Sequence, residues 1–396
     1  MNYLADNSYL AIKPEAVAGT PVIPTVFVPL ISESIKTNVN HLADQRMKGI
    51  AWKSSDLLRG NRVHEGDLVA LGDPDTLGHF LNMVMKLGST TGDADGYTHP
   101  FTVGDPQSYT IEIKKGLYAQ RYFGVLIDEL KMDFSEGQLQ LTSSIKAMGQ
   151  FSVASVGVAL TGAGMTDLIL DDQYDISPNR GLVVGDIIVV GGVDVTIATV
   201  AADGFTVTFL STVVTASVGD PVYLKPQTAS IASLQDPFYL GNMLVGIGAD
   251  ETAATAASAS RTLATPVYDM SISIKNNLFA QNGSTRFDPV TIVPRTKEAQ
   301  IALKQLFENV SQRQDFYDKT KQAITISALG KFIKDDFTTQ ESLTLTFNNV
   351  KLMTSDNAIE VGELIADTQE FEVLYDSVDG AAMSASLVNR TAGGSY

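Results

Sequence analysis

YTIEIKKGLYAQRYFGVLIDELKMDFSEGQLQLTSSIKA, residues 109–147, holds three strand patterns in succession. Tyr109, Ile111 and Ile113 alternate with Thr110, Glu112 and Lys114. Leu130, Met132 and Phe134 alternate with Glu129, Lys131 and Asp133, and Leu139, Leu141 and Ile145 with Gln138, Gln140, Thr142 and Lys146. Alternation with period two places one face of a sheet on a core and the other in water. Ser-Glu-Gly at 135–137 is a hairpin turn signal. The segment therefore predicts a long antiparallel sheet with a polar outer face. No catalytic group sits in it, which points to a structural protein.

The same run resembles the major tail tube proteins of long, non-contractile-tailed bacteriophages, through Ile111-Glu112, Gly116, Arg121, Gly124, Ile127 and Leu130. The opening is similar to theirs too, with Ile12-Lys13-Pro14-Glu15 followed by Gly19-Thr20-Pro21. So is SLTLTFNNVKL at 342–352, which resembles their closing hairpin. The likeness covers about 1–150 and 265–396. It implies hexameric rings stacked into a tube in the virion tail, assembled in the host cytoplasm. The partners it implies are other copies of the chain, tape-measure and tail-terminator proteins, and viral DNA passing through without sequence-specific binding.

With 396 residues the chain is long enough for a large core and two or three domains. A net charge of −17 argues against a basic nucleic-acid reader. The absence of cysteine excludes disulfides, thiolate zinc sites and cysteine nucleophiles. No apolar run approaches membrane-spanning length, and no basic-then-apolar leader opens the sequence.

Residues 1–30 carry Pro14, Pro21, Pro24 and Pro29 and predict an extended segment, either an arm on a neighbouring copy or an edge strand. A helix is predicted over 75–87, capped by Asp75 or Thr76 and ended by Gly88. A second is predicted over 296–310, with Ala299, Leu303, Leu306 and Val310 as its apolar face. Composition changes after Gly149. Residues 152–230 are rich in Val, Gly, Thr and Ala, with Arg180 and Lys225 the only basic residues. Gly191-Gly192 and Asp203-Gly204 are short-turn signals between β-branched runs, predicting a small closed barrel of five strands, SH3-like, inserted in the tube fold. Residues 249–265 read as a loop and 393–396 as a tail.

The predicted fold is thus mainly β: a tail-tube-like β-sandwich or half-barrel with two short helices, plus the inserted barrel. Its divisions are 1–151, 152–230 and 231–396.

No catalytic, cofactor or metal site is expected. His41, His64, His79 and His99 show no paired spacing, and G-x-S-x-G is absent. Asp167, Asp171, Asp172 and Asp175 lack the glycine and terminal glutamate of a calcium loop. Gly246-x-Gly248 lacks the third glycine and helix signal of a phosphate cradle. Inter-subunit candidates are Lys13, Glu15, Arg46, Lys48, Trp52 and Arg59. Glu112, Glu129, Asp133 and Glu136 are expected to face water, some of them the lumen, where acidic side chains keep phosphates from sticking. The alternative reading is a carbohydrate-binding or decoration module working through the barrel.

Overall fold

A computed structural model describes residues 8–43, 57–134, 137–160, 167–171, 180–210, 215–229, 235–259, 266–283, 286–306, 311–334, 339–356, 366–392 and 395–396. It is mainly β, as the sequence predicts. Two long bent strands organise it. Tyr118–Asp133 pairs through its first half with Tyr109–Lys115 and Gly149–Phe151, and through its second half with Gln140–Ala147 and Val267–Lys275. Gln340–Asp356 lies beside Gln322–Phe332. On its other side it pairs first with Met383–Asn389 and then with Ala366–Val373.

Gly124 marks the bend in the first of these strands. Its φ is +62°, and the ladder register shifts between Tyr122 and Val125. A glycine in the left-handed region is the usual means of inserting such a bulge and re-aiming a strand. A Cβ here would lie 2.6 Å from Met148, so space as well as φ requires glycine.

The largest sheet runs Lys36–Ala43, Leu57–Leu71, Gln140–Ala147, Tyr118–Asp133, Val267–Lys275, Glu298–Leu306, Ala366–Val373 and the end of Gln340–Asp356. One face is polar; the other joins a single core with the second sheet, which contributes Phe101, Leu345, Phe347 and Leu387. Helix α1 (Pro74–Val84) lies within this core, with ten of its residues buried rather than one apolar stripe. Its cap is Asp73, which accepts from the amides of Asp75 and Thr76, and it ends at Val84, before Gly88. Tyr396 is no free tail. Its ring packs edge-on against His79 and His99, in space left by Gly78.

Two expectations are corrected by neighbouring structure. Glu298–Leu306 is a strand, not a helix. Ala299 and Leu303 share a face under either period, but Ile301 is also buried, and strands pair on both sides. Pairing overrides local preference here. Residues 249–265 are not all loop, because Glu251–Ser258 forms α2, capped by Asp250 on the amide of Ala253. Its run of alanines is the best helix-forming composition. The helix lies flat on Met243–Gly248, and Cβ atoms at Gly246 and Gly248 would come within 2.0 and 2.5 Å of its backbone. The glycine pair admits a helix, not a phosphate. A third helix, α3, spans Ser311–Asp318, so the described residues hold three α-helices rather than two.

Between residues 153 and 224, six strands close a ring with its own core: Val153–Val156, Asp167–Asp171, Thr206–Phe209, Val193–Val200, Ile187–Val190 and Pro221–Leu224, which returns to the first. The barrel is therefore six-stranded, one more than expected. It is also stitched to the larger body. Ala119 pairs with Leu224, and Ala119 and Phe151 belong to the barrel's core cluster.

The N-terminal segment belongs to its own fold. Leu10–Pro14 pairs on one edge with Val26–Val28 and on the other with Tyr109–Lys115, and Leu10, Ala11 and Ile12 are fully buried. Leu10–Pro14 is thus an inner strand, while Val26–Val28, as expected of an edge strand, pairs along one side only among the described residues.

Candidate functional site

Two of the residues that carry the sequence resemblance, Glu112 and Arg121, meet at a buried junction. Glu112 and Arg121 are opposite each other across a hairpin turned at Gly116-Leu117, where Gly116 has φ +69°. Arg121 is 1% exposed, and each of its five N–H groups has an acceptor. Nε and Nη2 reach Glu112 Oε2 at 3.3 and 2.7 Å. Nη2 and Nη1 form a fork on Asp186 of the barrel at 2.8 and 2.5 Å, and Nη1 also donates to the Gly181 carbonyl at 3.1 Å. Burial works to lower the Arg121 pKa, but the charges and hydrogen bonds of Asp186 and Glu112 outweigh it and hold the guanidinium above its ordinary range.

Glu112 is also bound from the N-terminus and from beyond the barrel. Tyr9 donates its hydroxyl at 2.7 Å and Gln227 its side-chain amide at 3.1 Å, while the Gln227 backbone amide donates to Tyr9. Burial, and then the Glu112 carboxylate, push the Tyr9 phenol well above its usual range. Glu112 is therefore not a water-facing or lumen-facing residue. The polar side of Tyr109–Lys115 is covered by the N-terminal segment and the barrel, so Thr110 and Glu112 are both fully buried.

Glu15 is likewise interior, at 1% exposure, and so cannot serve as a surface contact to another copy. Its carboxylate accepts from Gly19 N, Ser108 Oγ, Thr110 Oγ1 and Gly124 N, all within 3.0 Å. The opening motif and the bulge glycine thus form one seat.

A second cluster involves histidine in a structural role. His64 is buried, with Thr37 Oγ1 at 2.8 Å from Nδ1 and Asp288 Oδ1 at 3.0 Å from Nε2. Arg62 and Arg180 also approach Asp288, at 2.8 and 3.4 Å. Burial disfavours the Asp288 carboxylate, but His64, Arg62 and Arg180 more than offset it and hold its pKa below the usual range. Here Thr37 also bonds Gln150, so the group ties three strands to the segments carrying Arg180 and Asp288. His99 meets Asn389 and Thr90, and His79 lies against Tyr109. Among the described residues, no three His, Cys, Asp or Glu side chains are grouped to hold a metal ion.

The remaining candidates lie on surfaces. Glu129 and Asp133 are on the polar face of the large sheet, half-buried beside Lys275 and Lys131. Ser271, Ser273, Gln300, Glu370 and Glu372 continue that face across the next strands. Lys13 is half-buried on Leu10–Pro14. Arg59 stands opposite His41 in the Leu57–Leu71 strand. Arg46, Lys48, Trp52 and Glu136 lie outside the described residues. Among the described residues, Lys36–Ala43 and Met243–Gly248 each pair along one edge only. No described helix is long and apolar enough to cross a membrane.

A family model described as phage tail tube protein matches residues 5–373. No curated protein matches the chain.

Proposed function

Because the chain belongs to the phage tail tube protein family and is thus a structural component of the virion tail, we propose that its copies close into hexameric rings that stack as the conduit for DNA. The observation that carries this reading is the large sheet with one polar face and an edge strand, Lys36–Ala43, that pairs along one side only among the described residues. Unpaired edges invite pairing with another chain, and a ring of copies satisfies them without leaving a growing end. The edge of Met243–Gly248 is the second element available for such pairing.

The polar face supports the lumen assignment for Glu129 and Asp133. Its serines, glutamine and mixed charges offer DNA no continuous run of cations, so no set of phosphates is held through counterion release. The Lys36–Ala43 and Leu57–Leu71 strands lead to Arg46, Lys48 and Trp52, which we assign to contact with an acidic face of another copy. Tape-measure and terminator proteins are the further partners, inside and at the end of the tube. Residues 152–230 form a separate domain on the outside of the tube, because a closed barrel facing inward would obstruct DNA.

Negative-stain microscopy of the purified chain tests this proposal. Stacked rings or tubes are expected. A proline on the open edge of Lys36–Ala43 is expected to leave folded, unpolymerised protein. Monodisperse monomers at all concentrations and salts would overturn the reading. Deleting residues 1–30 is not an informative test, because it removes an inner strand whose Leu10, Ala11 and Ile12 are fully buried.

A further inference from the structure

We propose that Arg121 is a coupling residue that makes the seating of the N-terminal segment and the docking of the inserted barrel one conformational equilibrium.

Four stretches of chain meet around the Glu112–Arg121 pair, Tyr9 and Gln227 through Glu112 and the barrel through Arg121. Tyr9 comes from the N-terminal segment, Glu112 from the body, Gly181 and Asp186 from the barrel, and Gln227 from the segment leaving the barrel. The side chains of Tyr9, Glu112, Arg121 and Asp186 are all buried. Two carboxylates share one guanidinium there, so neither acid is balanced by Arg121 alone. Glu112 draws further donors from Tyr9 and Gln227, and Asp186 draws one from the amide of Val183 at 2.7 Å. Withdrawing Asp186 would leave two guanidinium N–H groups without acceptors in a dry site. Arg121 would then turn towards Glu112 or towards water, and the hydrogen bonds that hold Tyr9 would change with it. The same chain of consequences runs backwards from Tyr9. Interactions in a buried polar network reinforce one another, so losing one member weakens the others.

Such coupling differs from plain stability in that it loosens the two ends while the rest of the fold stays protected. The barrel has its own core, including Leu168, Ile188, Ile197 and Val207, and its strands close on themselves. Releasing Asp186 therefore loosens the docking of a unit that keeps its own strands, held to the body by Ala119 and Phe151. At the other end, the Tyr9 ring stands edge-on to Phe27 at 5.3 Å, so Tyr9 movement reaches Val26–Val28 directly. Coupling of binding or docking equilibria is reciprocal. A ligand that shifts the barrel will shift the N-terminal segment, and contact made by the segment will shift the barrel. This inference does not depend on ring assembly, and it is tested on the unassembled chain of 396 residues.

The experiment is hydrogen–deuterium exchange on Asp186→Asn and Tyr9→Phe, singly and together. Asp186→Asn is expected to speed exchange about tenfold in Leu10–Pro14 and Val26–Val28 while Val193–Val200 stays protected. Tyr9→Phe is expected to speed exchange in residues 181–186, and the double variant to fall short of the combined single effects. Arg121→Lys, which keeps the charge and loses the fork, is expected to release both ends at once and serves if Asp186→Asn does not fold. Acceleration confined to the mutated end, additive effects, or uniform acceleration across all strands would overturn the proposal.

Discussion

Glu15 and Gly124 lie 109 positions apart and are joined by a 2.8 Å hydrogen bond from the glycine amide to the carboxylate. The bulge at Gly124 takes that amide out of the strand ladder, and Glu15 receives it. One side chain thereby fixes both the path of the N-terminal segment and the point at which the Tyr118–Asp133 strand changes partners.

Gly124→Ala should therefore destabilise the chain by about 1–3 kcal/mol through strain at positive φ, before any cost of displacing Met148. Glu15→Ala should be worse, because it leaves several buried donors without an acceptor at about 1–3 kcal/mol each. Thermal melts of the two variants check this, and an unchanged midpoint in either would sink it.

His79 should make the fold acid-sensitive. Burial pushes its pKa from the ordinary 6.5 down to about 3. The unfolded chain takes up a proton as pH falls through 6.5, and the folded chain resists until about 3. Stability is thus fully present above the unfolded value and is lost on acidification at up to about 1.4 kcal/mol per pH unit. Denaturant midpoints measured across that window should fall for the parent chain and flatten in His79→Gln. Equal slopes would show that another group controls the acid limb.

Gly246→Ala should lift α2 from the sheet, because the new Cβ would lie 2.0 Å from the Ala254 carbonyl oxygen. Faster amide exchange in Glu251–Ser258 is expected, with Gln140–Ala147 unaffected. Protection retained in the helix would mean that the backbone accommodates the methyl group.

Charge reversal on the polar face tests the lumen assignment. Glu129→Lys with Asp133→Lys should leave tubes intact and make them retain added DNA at low salt, with retention falling steeply as salt rises. Tubes that remain indifferent to DNA would place these residues elsewhere.

Much of the main sheet is legible in the sequence because its apolar residues alternate cleanly and Gly137 closes the hairpin. The Glu112–Arg121 pair is legible too: counting outward from a two-residue turn at Gly116-Leu117 sets them opposite each other. What counting does not reveal is a second dry layer. Thr110 and Glu112 carry the pattern of a solvent face, yet chain from before residue 30 and after residue 180 covers them. The strand at Glu298–Leu306 was obscured for a related reason, since its charged and amide residues look helical until both neighbouring strands are in place. For α2, the absence of bulky side chains concealed a helix packed against glycines, where smallness itself is the packing device.

The strands by which the chain enters and leaves the barrel are hydrogen-bonded neighbours, with Val153 opposite Tyr223. An insert with adjacent ends can be exchanged for another module of unrelated sequence with little disturbance to the host chain. Arg121 restricts that freedom: a compatible graft must bring its own anion to this point as well as an apolar seat for Ala119 and Phe151.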